Sequence, residues 1–227
     1  MQAICFDMDG VILEGPRTDP NVYADAADEA LVALGAEPTA DQRRDLRRNR
    51  ADAVRERCDA LEIEPSEFWS LKERYASEGT HERVRSGERG AYDDVDAIAD
   101  LCSRDRPLTA LVTNNRHATA RFVDDHFSFG FDAVRGRDPT IEGYERRKPD
   151  PHYLKRTLDE LGVDVADGDR ALYVGDSEKD VVAGRAAGLE TAFLRRPHNR
   201  TVTPEPPATY ELESLADLYD VVGGEKN

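Results

Sequence analysis

Short apolar runs alternate with longer amphipathic segments at the start of the chain and again from residue 93. The runs are typical of buried strands and lie at 3–6, 108–112, 131–134, 171–174 and 191–194. Helical spacing of apolar residues occurs between them, at 95–101, 117–126, 151–161 and 181–187. This alternation predicts an α/β fold with a doubly wound, Rossmann-like parallel sheet. A loop at 201–209 and a closing helix over 212–219 are predicted before a polar tail.

The interval after the first run has helical spacing without any strand pattern. Three helices are predicted there, beginning at Pro20, near Thr39 and at Ser66. The last of them is predicted to end before Gly79, because glycine commonly terminates helices. We therefore predict an all-helical cap domain at 17–88, inserted into a core domain made of 1–16 and 89–227.

The charge balance of the 227 residues limits the possible partners. The chain has 47 acidic and 31 basic side chains, a formal net charge of −16. Nucleic acids and anionic membranes bind basic surfaces, so neither is expected as a partner. Lysine is scarce, and a surface rich in Asp and Glu suits a salt-rich cytoplasm, where screening weakens self-repulsion. A halophilic protein is the hypothesis, and an ordinary acidic mesophilic protein is the alternative.

The cysteines and the N-terminus indicate a cytoplasmic protein. Cys5, Cys58 and Cys102 are widely spaced and odd in number, which favours neither a disulfide framework nor a zinc site. No signal peptide and no apolar span of membrane length is expected from the sequence. The sequence leaves open whether the protein is a monomer or a homodimer.

Polar side chains follow three of the apolar runs at the point where each run ends. Asp7 and Asp9 follow the first run, Thr113 follows the second, and Asp176 and Asp180 follow the run at 171–174. The carboxyl ends of parallel strands share one edge of a sheet, where open α/β sheets bind ligands. Carboxylates with a hydroxyl, and without His or Cys, suit a hard cation, for which Mg²⁺ fits better than zinc.

One lysine adds a positive charge to this set. Lys148 lies between Arg147 and Pro149, at the start of the helix predicted over 151–161. Carboxylates, a divalent cation, a lysine and a hydroxyl together suit phosphoryl chemistry, in which positioning and charge neutralisation do most of the work. A small-molecule phosphate ester is therefore the expected ligand.

Four segments of the chain resemble the ordered motifs of haloacid-dehalogenase-like (HAD) hydrolases. They are Asp7-Met8-Asp9-Gly10-Val11, Leu111-Val112-Thr113-Asn114, Lys148-Pro149-Asp150-Pro151 and Val174-Gly175-Asp176-Ser177-Glu178-Lys179-Asp180-Val181. The similarity covers the first strand and residues 93 to about 195. The continuation at 183–188 is similar to the phosphoglycolate-phosphatase-like branch. A lone Asp-x-Asp is weak evidence, whereas four motifs in this order are specific.

The resemblance implies a role for each catalytic motif residue. Asp7 would attack the phosphorus and become an aspartyl phosphate, which splits one difficult displacement into two easier ones. Asp9 would protonate the leaving oxygen and then activate water. Thr113 and Asn114 would bind the transferring phosphoryl oxygens, and Lys148 would neutralise charge shared with the nucleophile.

The resemblance also implies a set of Mg²⁺ ligands. The carboxylates of Asp7 and Asp176 and the backbone carbonyl of Asp9 would bind the ion. Asp180 is either an auxiliary carboxylate near the metal or a helix N-terminal residue favoured by the helix dipole.

The residues that distinguish branches of this superfamily favour phosphate esters. Its dehalogenases lack the second carboxylate, which is present here as Asp9. Its phosphonate-cleaving members use an early cap lysine, whereas the one lysine in the interval is Lys72, far downstream. A phosphomutase of the beta-phosphoglucomutase type shares all four motifs and stays an alternative. A binding module without turnover is disfavoured, because both Asp7 and Asp9 are present.

An arginine-rich stretch, DQRRDLRRNRADAVRER at 41–57, is the one basic block of the predicted cap. One hypothesis is that some of its arginines bind a second anionic group of the substrate, such as a carboxylate. The candidates are Arg43, Arg44, Arg47, Arg48 and Arg50. The alternative is a solvated helix face on which acidic neighbours pair with these arginines.

Overall fold

The computed structural model describes residues 1–48 and 50–223. In this range the strands are β1 (Ala3–Phe6), β2 (Leu108–Arg116), β3 (Ala133–Arg137), β4 (Ala171–Gly175), β5 (Glu190–Leu194) and β6 (Tyr210–Leu212). The helices of the first half are α1 (Pro20–Ala33), α2 (Ala40–Leu46), α3 (Ala51–Asp59), α4 (Pro65–Arg85) and α5 (Asp96–Cys102). Those of the second half are α6 (His117–Phe127), α7 (Ile141–Glu145), α8 (His152–Leu161), α9 (Glu178–Ala186) and α10 (Leu218–Gly223), with a 3₁₀ turn at Leu215–Asp217.

All six strands form one parallel sheet, which confirms the predicted doubly wound α/β fold. The strand order is β3-β2-β1-β4-β5-β6, so β1 lies between β2 and β4. Every residue of β1 is buried, as expected for a strand covered on both faces by helices. Part of the core consists of Cys5, Val112, Tyr153 and Leu158, where α8 packs on the sheet.

Residue contacts divide the chain into two compact units. The first contains the sheet and consists of 1–17, 90–137 and 146–227. The second consists of 18–89 and 138–145, and its described residues form helices and connecting loops without a strand. Its core includes Phe68 and Trp69, and Trp69 packs edge-on against Tyr144 of α7 at 5.1 Å. The participation of α7 was not predicted, and the domain boundaries proposed from the sequence remain a prediction.

Two helix predictions in the second unit are wrong. The third helix does not end before Gly79, because α4 continues to Arg85. A glycine inside a helix costs about 1 kcal/mol relative to alanine, and here the helix continues because Ala76, Thr80 and Val84 are buried. The single helix expected after Thr39 is divided into α2 and α3, which are separated by residues 47–50.

Two elements of the first unit also differ from the pattern. The strand expected at 131–134 is β3, which starts at Ala133 because Phe131 packs against Phe129 and Phe6 instead of pairing with β2. The segment at 210–212 pairs with β5 as β6, where no strand was predicted and the closing helix was expected to begin at Leu212. Three residues are too few to show a period. Within the described residues, none of the helices has the length and apolarity needed to cross a bilayer.

Candidate active site

Three strand ends bring polar side chains to one edge of the sheet. The last residue of β1 pairs with Leu111 on one side and with Val174 on the other. Asp7 follows directly, and its backbone N–H donates to the Val174 carbonyl at 2.9 Å. Thr113 and Asp176 each lie two residues beyond those partners. The parallel register therefore places all three at the same edge.

Lys148 is the buried cation of this edge, with 4% of its surface exposed. Its ammonium lies 2.9 Å from Asp7 Oδ1 and 2.7 Å from Asp180 Oδ1. A third oxygen, the hydroxyl of Tyr173, accepts from Nζ at 2.5 Å. Lys148 therefore donates hydrogen bonds to Asp180 and Tyr173 and forms an ion pair with Asp7.

The side-chain amide of Asn114 fixes the backbone of Lys148. Asn114 Oδ1 accepts from the Lys148 N–H at 2.7 Å, and Asn114 Nδ2 donates to the Lys148 carbonyl at 3.1 Å. This two-point contact joins the end of β2 to the loop before α8. Asn114 therefore positions the lysine through its side chain.

Asp180 accepts hydrogen bonds at both carboxylate oxygens. Oδ1 accepts from Lys148, and Oδ2 accepts from the backbone N–H and the hydroxyl of Ser177, at 3.0 and 2.6 Å. The residue thus caps the N-terminus of α9, one of the two roles considered for it, and also holds the lysine. Its role as an auxiliary carboxylate near the metal stays a prediction. Gly175 allows this approach, since a Cβ there would lie 2.2 Å from Asp180 Cβ.

Burial perturbs the ionisation of the site. It raises the pKa of Asp7 to about 7, although the Lys148 ammonium opposes the shift. It raises the pKa of Asp176 to about 9, with Asp180 and Asp7 adding like-charge repulsion. Burial lowers the pKa of Lys148, but the charges of Asp180 and Asp7 outweigh this effect and the pKa is raised overall. This edge of the sheet therefore holds more carboxyl groups than the single Lys148 ammonium can neutralise when they ionise.

This excess of carboxylates fits a divalent cation. Asp7, Asp176 and Asp180 are all buried, and one carboxylate oxygen of each lies within 4.8 Å of the others. Oxygen-only donors suit Mg²⁺. Because both oxygens of Asp180 already accept hydrogen bonds, Asp7 and Asp176 are the carboxylates best placed to bind the ion.

Gly10 permits the close approach of Asp176 to the turn after β1. Its φ is +81°, a backbone conformation that residues other than glycine rarely adopt. An added Cβ would lie 1.9 Å from Asp176 Oδ2. Glycine is therefore required at this position both by the backbone conformation and by the available space.

Asp9 is held by the neighbouring strand end. Asn115 Nδ2 donates to Asp9 Oδ2 at 3.0 Å, and the Asn115 backbone N–H donates to Thr113 Oγ1 at 3.1 Å. Asn115 thus contacts two of the predicted site residues at once. The sequence analysis assigned no role to Asn115.

Three further residues of the site were missed by the sequence analysis. Tyr173 contacts Lys148 as described. His198 Nε2 lies 2.5 Å from Asp176 Oδ2, and Asn199 Nδ2 donates to the Asp176 carbonyl at 2.7 Å. A histidine beside Asp176 was not predicted, although the candidate metal cluster itself contains only carboxylates. The loop after β5 has no apolar period that would have drawn attention to it.

Most arginines of the basic stretch pair with carboxylates of the helical unit, as the solvated-face alternative predicts. Arg43 and Arg47 contact Asp28, Arg44 contacts Asp41, and Arg50 contacts Asp52. Among the five candidate arginines, only Arg48 takes part in no ion pair with a described residue. Lys72, also in this unit, is buried and donates to the carbonyls of Leu46 and Arg48 at 2.8 and 3.2 Å.

Comparison with known proteins gives one family and several relatives. The model of the haloacid dehalogenase-like hydrolases matches residues 1–188. N-acetylmuramic acid 6-phosphate phosphatase of Pseudomonas aeruginosa is 28% identical over 230 residues, which cover 98% of this chain and 95% of the relative. Phosphoglycolate phosphatase 1 of the same organism is 28% identical over 230 residues, covering 95% of this chain and 77% of that protein.

A solved structure shares the fold. It is CbbY from Rhodobacter sphaeroides in complex with phosphate, with a TM-score of 0.64 and 20% sequence identity. The match covers 96% of this chain and 96% of that one. At this identity the likeness supports the fold of the whole chain.

Proposed function

This chain belongs to the haloacid dehalogenase-like hydrolases, and we propose that it hydrolyses a small phosphate monoester through an aspartyl phosphate, with Mg²⁺ as cofactor. The observation that carries this proposal is the contact of Lys148 with Asp7, beside a second carboxylate, Asp9, that Asn115 holds in place. A nucleophile, a separate proton donor and a buried cation are the groups that the reaction requires.

Asp7 is the proposed nucleophile. One of its carboxylate oxygens attacks the phosphorus, a P–O bond forms to Asp7, and the bond from phosphorus to the ester oxygen breaks. The Lys148 ammonium at 2.9 Å orients the carboxylate and favours its charged, nucleophilic form. Because Lys148 donates to Asp180 and Tyr173 and pairs with Asp7, we assign this lysine first to positioning Asp7. The lysine can bind a phosphoryl oxygen when one acceptor gives way.

Asp9 is the proposed acid and base. In the first step its carboxyl proton goes to the leaving oxygen of the alcohol. In the second step it removes a proton from water, whose oxygen attacks the aspartyl phosphate, breaks the bond to Asp7 and releases inorganic phosphate. Such a group typically contributes about 10² to 10⁴ in rate. The Asn115 amide at 3.0 Å orients it.

The second strand end is the proposed phosphoryl-binding element. Thr113 Oγ1 accepts from the Asn115 N–H, so its own hydrogen can donate to a phosphoryl oxygen. We assign the backbone N–H of Asn114 to a second oxygen, since its side chain is used on Lys148. Mg²⁺, held by Asp7, Asp176 and the Asp9 carbonyl, would supply charge neutralisation for the transferring group.

The substrate that we propose carries an anionic group besides its phosphate. The names of the two relatives above denote phosphate esters of acids, a muramic acid and a glycolate. We therefore favour a phosphorylated small acid or acidic sugar as the substrate.

The charge of the chain supports a place in a salt-rich cytoplasm. A net charge of −16 produces self-repulsion that added salt screens, with a Debye length of about 3 Å at 1 M. The fit of this surface to high salt is an expectation from composition.

Phosphate release from a panel of monoesters, measured with Mg²⁺ at high salt, tests the proposal. We expect hydrolysis by the wild type without a bisphosphate activator, and a loss of at least about 10³-fold for Asp7→Asn. Asp41→Asn, on an exposed carboxylate of α2, is the matched control and should retain activity.

Three outcomes would contradict the proposal. Undiminished hydrolysis by Asp7→Asn would remove Asp7 as the nucleophile. Activity that appears only with a bisphosphate activator, and without net phosphate release, would identify a phosphomutase. Binding of phosphate esters with no turnover under either condition would identify a binding module.

A further inference from the structure

The loop after β5 contacts Asp176 at two points. His198 Nε2 lies 2.5 Å from the carboxylate oxygen Oδ2, and Asn199 Nδ2 donates to the backbone carbonyl at 2.7 Å. Both the side chain and the backbone of Asp176 are therefore held by consecutive residues of one loop.

The loop itself is anchored by buried hydrogen bonds. Asn199 Nδ2 also donates to the Leu194 carbonyl at 2.9 Å, and Asn199 Oδ1 accepts from the Arg196 N–H at 2.8 Å. The Arg196 guanidinium is buried and donates to the carbonyls of Gly10 and Val11, at 3.3 and 2.9 Å. His198 thus extends from a support that is tied to the turn after the nucleophile.

The contacts of Asp176 distinguish its two oxygens. Oδ2 faces His198 and lies so close to Gly10 that a Cβ there would approach to 1.9 Å. Oδ1 has no hydrogen bond from a described residue. The imidazole therefore occupies one side of the carboxylate and leaves the other oxygen available to a cation.

We propose that His198 is a positioning residue that fixes the rotamer of Asp176 and thereby sets the affinity of the site for divalent cations. The inference rests on the proposed function, since it takes Asp176 as a ligand of the metal. Hydrogen bonds to a ligating carboxylate orient the ligand, and their removal typically costs about 10- to 100-fold in metal affinity. His198 lies outside the cluster formed by Asp7, Asp176 and Asp180, so it acts through Asp176.

A merely structural pair makes a different prediction. His198 is partly exposed, with 24% of its side chain accessible, whereas Asp176 is buried. If the pair were merely structural, removal of His198 would lower the melting temperature, because a buried oxygen loses its partner, and would leave the affinity for metal unchanged.

Binding of Mn²⁺ to the metal-free protein, followed by electron paramagnetic resonance of the unbound ion at about pH 8, tests the proposal without any substrate. We expect the Kd to rise about 10- to 100-fold in His198→Ala. His198→Gln, whose Nε2 can donate in place of the imidazole, should remain within about threefold of the wild type. His126→Ala, on an exposed histidine of α6, is the control and should bind like the wild type.

Asp176→Asn separates failure of this inference from failure of the proposed metal site. If Asp176→Asn loses Mn²⁺ binding while His198→Ala stays within twofold of the wild type, the role of His198 is wrong and the metal site stands. If Asp176→Asn binds like the wild type, or the wild type does not bind Mn²⁺, the metal site is wrong and the role of His198 falls with it. Equal weakening in His198→Ala and His198→Gln would also contradict positioning by a hydrogen-bond donor.

Discussion

Tyr173, in β4, connects Lys148 with Val112 of β2. Its hydroxyl donates to the Val112 carbonyl at 2.8 Å and accepts from Lys148 Nζ at 2.5 Å. Burial raises the pKa of Tyr173 well above its ordinary value, so the phenol stays neutral and can act as donor and acceptor at once. One donor of the ammonium is thereby satisfied by an uncharged group. This leaves the two carboxylates, Asp7 and Asp180, to balance its charge.

Removal of that hydroxyl should disturb the lysine. In Tyr173→Phe, one N–H of Lys148 and the Val112 carbonyl lose their buried partner, and an unsatisfied buried group costs about 1–3 kcal/mol. We expect a fall of this size in the free energy of unfolding and a decrease of about tenfold in kcat. Tyr219→Phe removes a hydroxyl that donates to Asp100 at the surface and is the matched control. Denaturant unfolding and steady-state kinetics check both variants, and equal behaviour of the two would contradict the role of Tyr173.

The two-point contact of Asn114 predicts a kinetic defect that differs from a loss of substrate binding. Asn114→Ala removes both hydrogen bonds to the Lys148 backbone and releases the loop that carries the lysine. We expect kcat to fall about 10- to 100-fold, because small displacements of catalytic groups have effects of this order. The KM should change less, since the proposed phosphoryl contact of this residue is its backbone N–H. A rise in KM with unchanged kcat would show that the side chain binds substrate instead.

The sheet and the polar site residues that follow three of its apolar runs could be predicted, because each of these features depends on local sequence. The end of an apolar run marks the polar residues of the site, as at Asp7, Thr113 and Asp176, although β2 continues beyond Thr113 to Arg116. Parallel pairing then brings these ends together without further information.

The residues that support the site could not be predicted in the same way. Tyr173 is part of an apolar run and is indistinguishable there from a core residue. His198 acquires its role only through contact with Asp176, 22 positions away, on a different strand end. Roles that depend on such tertiary contacts leave no mark on periodicity.

Gly10 should not tolerate a side chain. In Gly10→Ala the new methyl group would overlap Asp176 Oδ2, and the φ of +81° would be strained by about 1–2 kcal/mol. We expect activity to fall along with the affinity for Mn²⁺, because Asp176 must move. Gly15→Ala has a similar φ, +79°, with open space around it, and therefore reports the strain alone. If both variants lost metal affinity equally, the steric explanation would be wrong.

Salt should stabilise the protein. The 47 acidic side chains outnumber the 31 basic ones, and the excess negative charges repel one another in the folded state. Added salt screens this repulsion. We expect the melting temperature to rise between about 0.1 and 2 M KCl, with most of the gain at the lower concentrations, where the Debye length changes most. Differential scanning calorimetry measures the effect. A melting temperature that falls as KCl is added would contradict the halophilic hypothesis.

Without metal, the carboxylate cluster should make stability decrease as pH rises. The pKa values of Asp7 and Asp176 are about 7 and about 9 in the folded protein, against an ordinary value of 3.8. At pH values between 3.8 and these raised pKa values, the folded state binds more protons than the unfolded state. The free energy of unfolding therefore falls with increasing pH. Asp176→Asn removes the ionisation at that position and should be more stable than the wild type at about pH 9 by at least about 1.4 kcal/mol, the equivalent of one pKa unit.

The stabilisation by Asp176→Asn relative to the wild type should be smaller at about pH 5 than at about pH 9. At about pH 5 the folded wild type keeps Asp176 protonated, while the unfolded chain has mostly released that proton. Chemical denaturation in EDTA at the two pH values measures the difference between the variant and the wild type, and this difference cancels the contribution of other titrating groups. Asp41→Asn, on an exposed carboxylate, should show no such growth with pH. Added Mg²⁺ at about pH 9 should stabilise the wild type and have little effect on Asp176→Asn, because a ligand that binds only the folded state shifts the unfolding equilibrium. A difference between Asp176→Asn and the wild type that is independent of pH would show that Asp176 titrates normally and that the cluster has no excess charge for a cation to neutralise.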